Sequence, residues 1–254
     1  MKNSFINRCI LALKKQGILG FLKKIKPRHF DPLKIVFYPY ATLKISSEIK
    51  KSFSADSVVN FVFKKFGSFL KPYQVKSEIL ALTKIVENKK PEVILEIGTS
   101  TGGTLLIWSR IASKDAHLIS IDLPGGENNW AYPKWKESFY KKFAIPPQKI
   151  DLLRTDSQKQ ETLDLVKKIL NNKQIDLLFI DGDHSYDGVK KDYELYSPLV
   201  SKGGIIAFHD IVQSPETTTV GVQKLWNEIK EGKETKEIIE NKNQEWGGIG
   251  LIIT

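Results

Sequence analysis

The chain has 254 residues, of which 41% are hydrophobic; this is enough to bury the core of one large domain and excludes a globally disordered protein. No apolar run approaches the roughly 20 residues of a membrane-spanning helix, and the single cysteine, Cys9, excludes an intramolecular disulfide. The net charge of +10 comes from residues 1–90, with 19 Lys and Arg against 5 Asp and Glu, whereas residues 91–254 hold 20 against 24, so the overall charge does not indicate a nucleic-acid substrate.

The first 30 residues carry eight Lys and Arg and no acidic residue. Their loose apolar face predicts a basic amphipathic helix, weakened at Gly17 and Gly20. Such a helix suits contact with an anionic membrane surface or a partner, or packing on its own domain or on a second subunit of a homo-oligomer. No small-residue cleavage site follows, so no secretory signal is expected, and the expected location is cytoplasmic or peripheral to a membrane.

Residues 1–72 are predicted to form this N-terminal extension, with a strand at Leu33–Tyr38 and a helix at Ser54–Phe66. Residues 73–254 are predicted to form the catalytic domain, which opens with a helix at Tyr73–Asn88.

From Pro91 onward, short apolar runs alternate with helix-like segments. The predicted strands are Val93–Ile97, Leu118–Leu123, Ile150–Thr155, Ile175–Asp181 and Ile205–Asp210, and the predicted helices are Thr101–Ser113, Lys134–Phe143, Gln158–Asn171 and Tyr186–Leu199. This alternation predicts an α/β fold with a doubly wound, mostly parallel sheet and helices on both faces. Gly248–Ile253 predicts a further strand, which closes a hairpin with the apolar patch Ile238–Ile239.

A glycine-containing loop follows the first predicted strand, running from Gly98 to Thr104. Glycines permit a tight turn and close approach of the backbone to a ligand, and open α/β sheets bind ligands at this edge. The residue two positions after Gly98 is Ser100, which departs from the dinucleotide pattern and disfavours a nicotinamide oxidoreductase. No Gly-Lys-Ser/Thr follows, so the loop is not a phosphate-binding P-loop. The residues alone predict a nucleotide-like ligand.

The stretch Val93–Thr104 resembles the first motif of class I S-adenosylmethionine (SAM)-dependent methyltransferases, in which an acidic residue precedes G-x-x-x-G. The resemblance implies a Rossmann-like fold and a loop that wraps the methionine part of SAM. An acidic residue at Glu96 is compatible with a cofactor that carries a sulfonium and no pyrophosphate. The cofactor-binding residues expected from this motif are Glu96, Gly98, Thr99, Ser100, Thr101, Gly102 and Thr104.

Acidic residues also end the next two predicted strands. Asp122, after the second strand, can accept hydrogen bonds from both ribose hydroxyls. Asp156, after the third strand, stands where the family contacts the adenine. An acidic residue at a strand end is by itself commonly a helix cap, so the prediction of a cofactor site depends on the three strand ends together.

Asp181 and Asp210 follow the fourth and fifth predicted strands, and we expect them to meet at one edge of the sheet. They could bind a divalent cation such as Mg²⁺, or serve as helix caps or solvated residues. The region resembles metal-dependent O-methyltransferases, including enzymes that act on catechols, caffeoyl-CoA and sugars. That resemblance implies a metal site of Asp181, His209 and Asp210 and a cofactor contact for Asp181. His209 departs from the usual Asp, and histidine suits Zn²⁺, Mn²⁺ or Fe²⁺ better than Mg²⁺, so the resemblance does not identify the metal.

Two general-base candidates lie in the turn after the fourth strand. His184 stands where the catechol enzymes place a catalytic lysine, and Asp183 stands where some sugar O-methyltransferases place a catalytic carboxylate. A histidine can accept a hydroxyl proton near neutral pH. The alternative for His184 is a residue at the start of a helix that is hydrogen-bonded to the backbone.

The substrate side of the sequence is less specific. A loop with Trp130, Tyr132 and Trp135 could close over a sugar or aromatic acceptor, or could pack onto the edge of the sheet. Residues 33–66 are another candidate cover. The sequence favours O-methylation of a small-molecule or glycan hydroxyl. One alternative is a nucleic-acid methyltransferase that uses the basic N-terminal region, which is disfavoured because no Asn-Pro-Pro-Tyr-like motif follows the fourth strand. A non-catalytic SAM-binding protein is the other alternative.

Overall fold

A computed structural model describes residues 42, 45–49, 53–64, 69–124, 132, 134–213 and 221–254 of the chain. The chain divides into two compact units, Met1–Glu48 and Ile49–Thr254, and the second unit contains the sheet. The predicted basic helix in residues 1–30 and the predicted strand at Leu33–Tyr38 lie outside the described residues. Within the described residues, no helix is both long enough and apolar enough to cross a membrane.

A seven-stranded sheet forms the centre of the second unit, in the order β3-β2-β1-β4-β5-β7-β6. The strands are β1 (Val93–Ile97), β2 (His117–Asp122), β3 (Lys149–Arg154), β4 (Ile175–Ile180), β5 (Val200–Gln213), β6 (Glu234–Ile238) and β7 (Trp246–Ile253). The first five strands are parallel to one another, and β7 runs antiparallel to both β5 and β6. All five residues of β1 are buried, as expected for a central parallel strand covered on both faces.

Seven α-helices accompany the sheet among the described residues of the second unit, and residues 42 and 45–48 of the first unit are also helical. The seven helices are α1 (Ala55–Lys64), α2 (Lys76–Lys89), α3 (Gly103–Ile111), α4 (Glu137–Tyr140), α5 (Gln160–Leu170), α6 (Tyr186–Tyr196) and α7 (Val222–Ile229). Short 3-10 helices occupy Lys134–Lys136, Lys141–Phe143 and Ser197–Leu199.

The two faces of the sheet carry different helices. Val93, Leu95 and Ile97 of β1 belong to one apolar cluster with buried residues of α5, α6 and α7. On the other face, Glu96 of β1 accepts a hydrogen bond from Trp108 of α3, and the Trp108 ring packs edge-on against Phe179 of β4. This two-sided packing confirms the doubly wound α/β fold.

The predicted elements of the sheet are confirmed, with shifts of one to a few residues at most boundaries. The predicted hairpin is also confirmed, since β6 pairs with β7. Lys134–Phe143, predicted as one helix, is instead a succession of three short helical pieces. Strand β5 extends beyond the predicted Asp210 because its far end continues to pair with β7, up to the pair Gln213 and Trp246.

Glu78 of α2 is a buried hub that was not apparent in the sequence, and it is only 1% exposed. Its Oε1 accepts hydrogen bonds from the backbone N–H of Glu240 at 3.0 Å and from Nε2 of Gln244 at 2.7 Å. Its Oε2 accepts from the backbone N–H of Gly248 at 2.8 Å. This carboxylate therefore attaches the start of α2 to the β6–β7 hairpin.

We expect Glu78→Ala to lower the free energy of unfolding by about 2–4 kcal/mol, because it removes charge-assisted hydrogen bonds and leaves buried donors without an acceptor. Urea denaturation monitored by circular dichroism measures this loss. Glu231→Ala, at an exposed glutamate, is the matched control and should change stability by less than about 0.5 kcal/mol. Equal stability of the two variants would show that the hub contributes nothing.

Candidate active site

A cleft of about 810 Å³ opens at the carboxyl ends of β1 to β4. Its lining includes most of the loop after β1 and the residues that follow β2, β3 and β4. The predicted site residues on its wall are Gly98, Thr99, Ser100, Thr101, Thr104, Asp122, Asp156, Asp181, Asp183 and His184. Its volume lies within the usual range of small-molecule sites, and its position is the edge where open α/β sheets bind ligands.

The glycines of the loop after β1 are required by neighbouring protein atoms. Gly98 has φ of +96°, and a Cβ there would lie 1.9 Å from the backbone oxygen of Asp181. Gly102 has φ of +82°, and a Cβ there would lie 2.4 Å from the ring of Tyr140. The sequence suggested that these glycines admit a ligand, whereas in the fold they admit the start of the β4–α6 turn and an aromatic ring.

Glu96 lies beneath the loop and not on the wall of the cleft. It is fully buried and accepts a hydrogen bond from Nε1 of Trp108 at 3.1 Å. Burial raises the pKa of Glu96 to about 8, although hydrogen bonds from Thr104 and Trp108 oppose the shift. Like Gly102, it does not line the cleft, so the structure places it as a support for α3 under the predicted cofactor loop.

The carboxylates after β2 and β3 bind loop backbone on the same wall of the cleft. Oδ2 of Asp122 accepts the N–H of Ser100 at 2.6 Å, and burial raises the pKa of Asp122. Oδ1 of Asp156 accepts the N–H of Gln158 at 2.9 Å. Both carboxylates therefore hold loop backbone and line the cleft, but neither is the helix cap that the sequence left open, because the N-cap residues of α3 and α5 are Gly102 and Lys159.

The ends of β4 and β5 bring two carboxylates and two imidazoles together. Oδ1 of Asp181 lies 3.0 Å from Nδ1 of His209 and 3.5 Å from Nε2 of His184. Oδ2 of Asp210 lies 3.4 Å from Nδ1 of His184 and 3.4 Å from Nδ1 of His209. The side chain of His184 is 43% exposed, whereas that of His209 is 2% exposed, so only His184 presents its ring to solvent.

The charged groups of this cluster shift the pKa values of one another. Burial alone would raise the pKa of Asp181, but His209 and His184 hold it well below the usual range. A hydrogen bond with Asp181 raises the pKa of His184 against the effect of its burial. Burial would lower the pKa of His209, yet Asp181 and Asp210 raise it. The carboxylates therefore favour imidazolium forms of both histidines.

The backbone at Asp210 is irregular in a way that serves the cluster. Asp210 has φ of +64°, and the pairing of β5 with β7 shifts register between His209 and Val212. A bulge of this kind redirects a side chain at the end of a strand. Asp210 thus meets His184, although the sequence alone suggested an uninterrupted strand end.

Ligand atoms of Asp181, His184 and Asp210 all lie within 4.8 Å of one another, which is close enough to surround one cation. His209, the imidazole predicted for this set, also contacts both carboxylates, with its Nδ1 3.0 Å from Asp181 and 3.4 Å from Asp210. Asp183, the other base candidate, uses Oδ1 to accept the N–H of Ser185 at 2.9 Å and Oδ2 to accept Nε2 of Gln158 at 3.0 Å. Its carboxylate therefore holds two neighbouring loops.

The predicted substrate loop is described only in part. Tyr132 is fully buried, and its ring lies 5.4 Å from the ring of Tyr140 and 5.5 Å from the guanidinium of Arg154. For Tyr132, packing onto the domain is therefore the alternative that holds. Trp130 and the side chain of Trp135 lie outside the described residues. Pro72, Tyr73 and Gln74 also line the cleft just before α2, and they carry no motif by which the sequence could have predicted them.

Part of the chain is similar to known methyltransferases. Residues 95–211 match the model of a family described as a methyltransferase domain. Uncharacterized protein R132 of Acanthamoeba polyphaga mimivirus is 34% identical over 145 residues, which cover 55% of this chain and 61% of that protein. Probable caffeoyl-CoA O-methyltransferase 3 of Dictyostelium discoideum is 31% identical over 135 residues, 52% of this chain and 47% of that protein.

The solved structures support the fold. The O-methyltransferase from Bacillus cereus in complex with S-adenosylhomocysteine (SAH) superposes with a TM-score of 0.54 at 17% identity, covering 81% of this chain and 100% of that chain. The chain spans less than two thirds of the length of the two sequence relatives, at 61% and 47%.

Proposed function

Because residues 95–211 match the model of a methyltransferase domain, we propose that this chain is a class I SAM-dependent methyltransferase, which transfers the methyl group of SAM to a hydroxyl of a small molecule or glycan. The charge of the cleft supports this proposal most directly. None of the described residues on its wall is Lys or Arg, whereas four of them are Asp. Such a wall repels a phosphate ligand and suits a cofactor that carries a positive sulfonium.

The order of the strands places separate groups where each part of SAM would bind. Asp122 and Asp156 lie at the ends of β2 and β3, on one side of the glycine loop, and could bind the ribose and the adenine. Asp181 lies at the end of β4, on the other side of the loop, beside the cluster with His184 and Asp210. The reacting end of the cofactor would then lie where the protein gathers its imidazoles.

We assign the role of general base to His184. Its ring is the exposed imidazole of the cluster, and Asp181 and Asp210 would stabilise its cationic form after proton uptake. The acceptor oxygen attacks the methyl carbon in line with sulfur, so that the C–O bond forms and the C–S bond breaks. His184 takes the hydroxyl proton, and the remaining products are SAH and the methyl ether.

A divalent cation also fits the same cluster, because two carboxylates and one imidazole are suitable ligands for Mn²⁺. Asp181 and Asp210 would hold it with one imidazole. His209, whose Nδ1 lies 3.0 Å from Asp181 and 3.4 Å from Asp210, would leave His184 free to act as the base, whereas His184 also lies within reach of the ion. When bound, the ion would lower the pKa of the acceptor hydroxyl. A nitrogen of His184 that binds the ion cannot accept a proton, so the two roles of His184 are separable by experiment.

The proposed activity can be tested with methyl-labelled SAM and three acceptor probes: 3,4-dihydroxybenzoate, p-nitrophenyl glycosides and total tRNA. We expect label in an ether of one of the first two. Transfer to tRNA would instead establish the nucleic-acid alternative, and SAH binding without transfer to any probe would support a non-catalytic SAM-binding protein. Failure to bind SAH in calorimetry would contradict the proposal outright.

We expect Asp122→Ala to weaken SAH binding by about 1.5–3 kcal/mol, the range for losing hydrogen bonds to a charged group. Isothermal titration calorimetry measures the change. Asp164→Ala removes an exposed carboxylate of α5 and is the control, which should bind SAH as the wild type does. Unchanged affinity in the Asp122 variant would remove this residue from the cofactor site.

We expect EDTA to abolish methyl transfer while leaving SAH affinity unchanged, because the glycine loop and Asp122 do not depend on a cation. Asp210→Ala should reproduce the effect of EDTA even with excess Mn²⁺. The measurements are label transfer and calorimetry on the same samples. Full activity in excess EDTA would establish His184 as a base that works without a metal.

A further inference from the structure

The segment from Leu70 to Gln74 lies across the glycine loop. Oγ1 of Thr101 donates to the backbone oxygens of Leu70, at 3.3 Å, and Lys71, at 3.2 Å. A Cβ at Gly103 would lie only 1.9 Å from the oxygen of Leu70, so the segment and the loop are in close contact. These contacts hold the segment against the part of the cleft where the methionine end of SAM is expected.

Gln74, at the end of this segment, makes one hydrogen bond through its amide nitrogen. Nε2 donates to Oδ2 of Asp181 at 2.9 Å. An ionised carboxylate only accepts hydrogen bonds, so this contact fixes which end of the amide is nitrogen and which is oxygen. The amide nitrogen of Gln74 therefore points to Asp181, and Oε1 is the other end of the amide.

The other end of the amide is left without a partner. Gln74 is 4% exposed, and its Oε1 is buried with no hydrogen-bond partner among the described residues. Gln74 also lines the cleft. A buried carbonyl oxygen without a donor is costly and is rare in folded proteins, so a bound ligand is a natural source of the missing donor.

The position of Gln74 favours a cationic hydrogen-bond donor as the partner of its Oε1. Gln74 is hydrogen-bonded to Asp181 and both residues line the cleft, so a group bound there lies near an amide oxygen and a carboxylate together. This pair suits a cation that donates hydrogen bonds, and the methionine part of SAM carries one in its α-ammonium. A hydroxyl of the acceptor would instead be expected nearer Asp210 and His184, at the ends of β5 and the β4–α6 turn.

We propose that Gln74 binds the cofactor, its Oε1 accepting a hydrogen bond from the α-ammonium of SAM or SAH while its amide nitrogen orients Asp181. This inference rests on the proposed function. It adds a cofactor-binding group from outside the glycine loop and the strand ends.

The test is a double-mutant cycle in which one change is made in the protein and the other in the ligand. The ligands are SAH and the analogue of SAH that carries hydrogen in place of its α-ammonium. The proteins are the full-length wild type, Gln74→Met and Gln160→Met, with affinities from isothermal titration calorimetry. Gln160 is the matched control because its Nε2 also donates to a carboxylate at 2.9 Å, that of Asp164, on the exposed face of α5.

For the wild type and for Gln160→Met, we expect SAH to bind about 10- to 100-fold more tightly than the analogue, the range for a hydrogen bond to a charged group. Gln74→Met should lose most of this preference, because its affinity for SAH falls while its affinity for the analogue stays the same. Retained affinity for the analogue also shows that the variant is folded.

Two results would overturn the inference while leaving the proposed function intact. One is a Gln74→Met variant that prefers SAH as strongly as the wild type does. The other is an equal loss of affinity for both ligands, which would mean that Gln74 acts only by holding Asp181. If the wild type binds neither ligand, the proposed function itself fails.

Discussion

His184→Ala should lower kcat about 10²- to 10⁴-fold, the usual contribution of general acid–base catalysis, with little change in SAH affinity. The reason is the place of this imidazole, which lies 3.5 Å from Oδ1 of Asp181 and 3.4 Å from Oδ2 of Asp210 with its ring partly open to solvent. Steady-state kinetics with the acceptor found in the label-transfer assay measures the loss.

The pH profile gives a second and independent signature. A base must be unprotonated, so activity falls as pH drops through the pKa of His184. Hydrogen bonding to Asp181 raises this pKa, so we expect the acid limb of kcat above the ordinary histidine value of about 6.5. His184→Ala should remove that limb.

Asp183→Asn separates the two base candidates. Because the carboxylate of Asp183 accepts hydrogen bonds from Ser185 and Gln158, we expect this variant to retain the acid limb. An acid limb that survives in His184→Ala and disappears in Asp183→Asn would reverse the assignment. A loss of Mn²⁺ affinity in His184→Ala, measured by electron paramagnetic resonance, would mark the histidine as a metal ligand.

Gly98→Ala should lower the free energy of unfolding by at least about 4 kcal/mol and abolish SAH binding. Two costs combine there, a left-handed backbone at φ of +96° and a Cβ placed 1.9 Å from the backbone oxygen of Asp181. The ends of β1 and β4 would have to separate, and the glycine loop and the acid cluster would move apart. Chemical denaturation and calorimetry measure the two effects.

Gly203→Ala measures the cost of the left-handed backbone by itself. Gly203 has φ of +79°, but nothing lies within 4 Å of a Cβ placed there. This variant should lose only about 1–2 kcal/mol, from backbone strain alone. Similar losses in the two variants would show that the contact between Gly98 and Asp181 relaxes easily.

The sequence could predict the sheet because its signals are local. β1 and β4 are short, buried and apolar, and the glycine loop directly follows β1. Parallel strands bring their carboxyl ends to one edge, so Asp122, Asp156 and Asp181 were expected on a common cleft, and the structure has them there.

What the sequence could not predict depends on the direction of side chains and on distant contacts. Glu96 and Ile97 are adjacent, but alternation along β1 sends Glu96 beneath α3 while Ile97 lines the cleft. His209 was predicted beside Asp181 and Asp210 from the resemblance, but only the fold, with the irregular backbone at Asp210, shows that His184 contacts the same two carboxylates. Gln74 carries no motif, and only the fold brings it to Asp181.

The contacts of Glu78 also indicate the order in which parts of the domain fold. Glu78 joins α2 to backbone and side-chain groups that lie 162 to 170 positions later in the chain. Contacts of such long sequence separation close slowly, after local helices and the first strand pairs have formed. Gln74 lies four residues before Glu78, so during synthesis on the ribosome we expect the β4 end of the cleft to be set only after the β6–β7 hairpin has emerged. A nascent chain released before Trp246 would then hold most of the sheet but would not retain the cofactor.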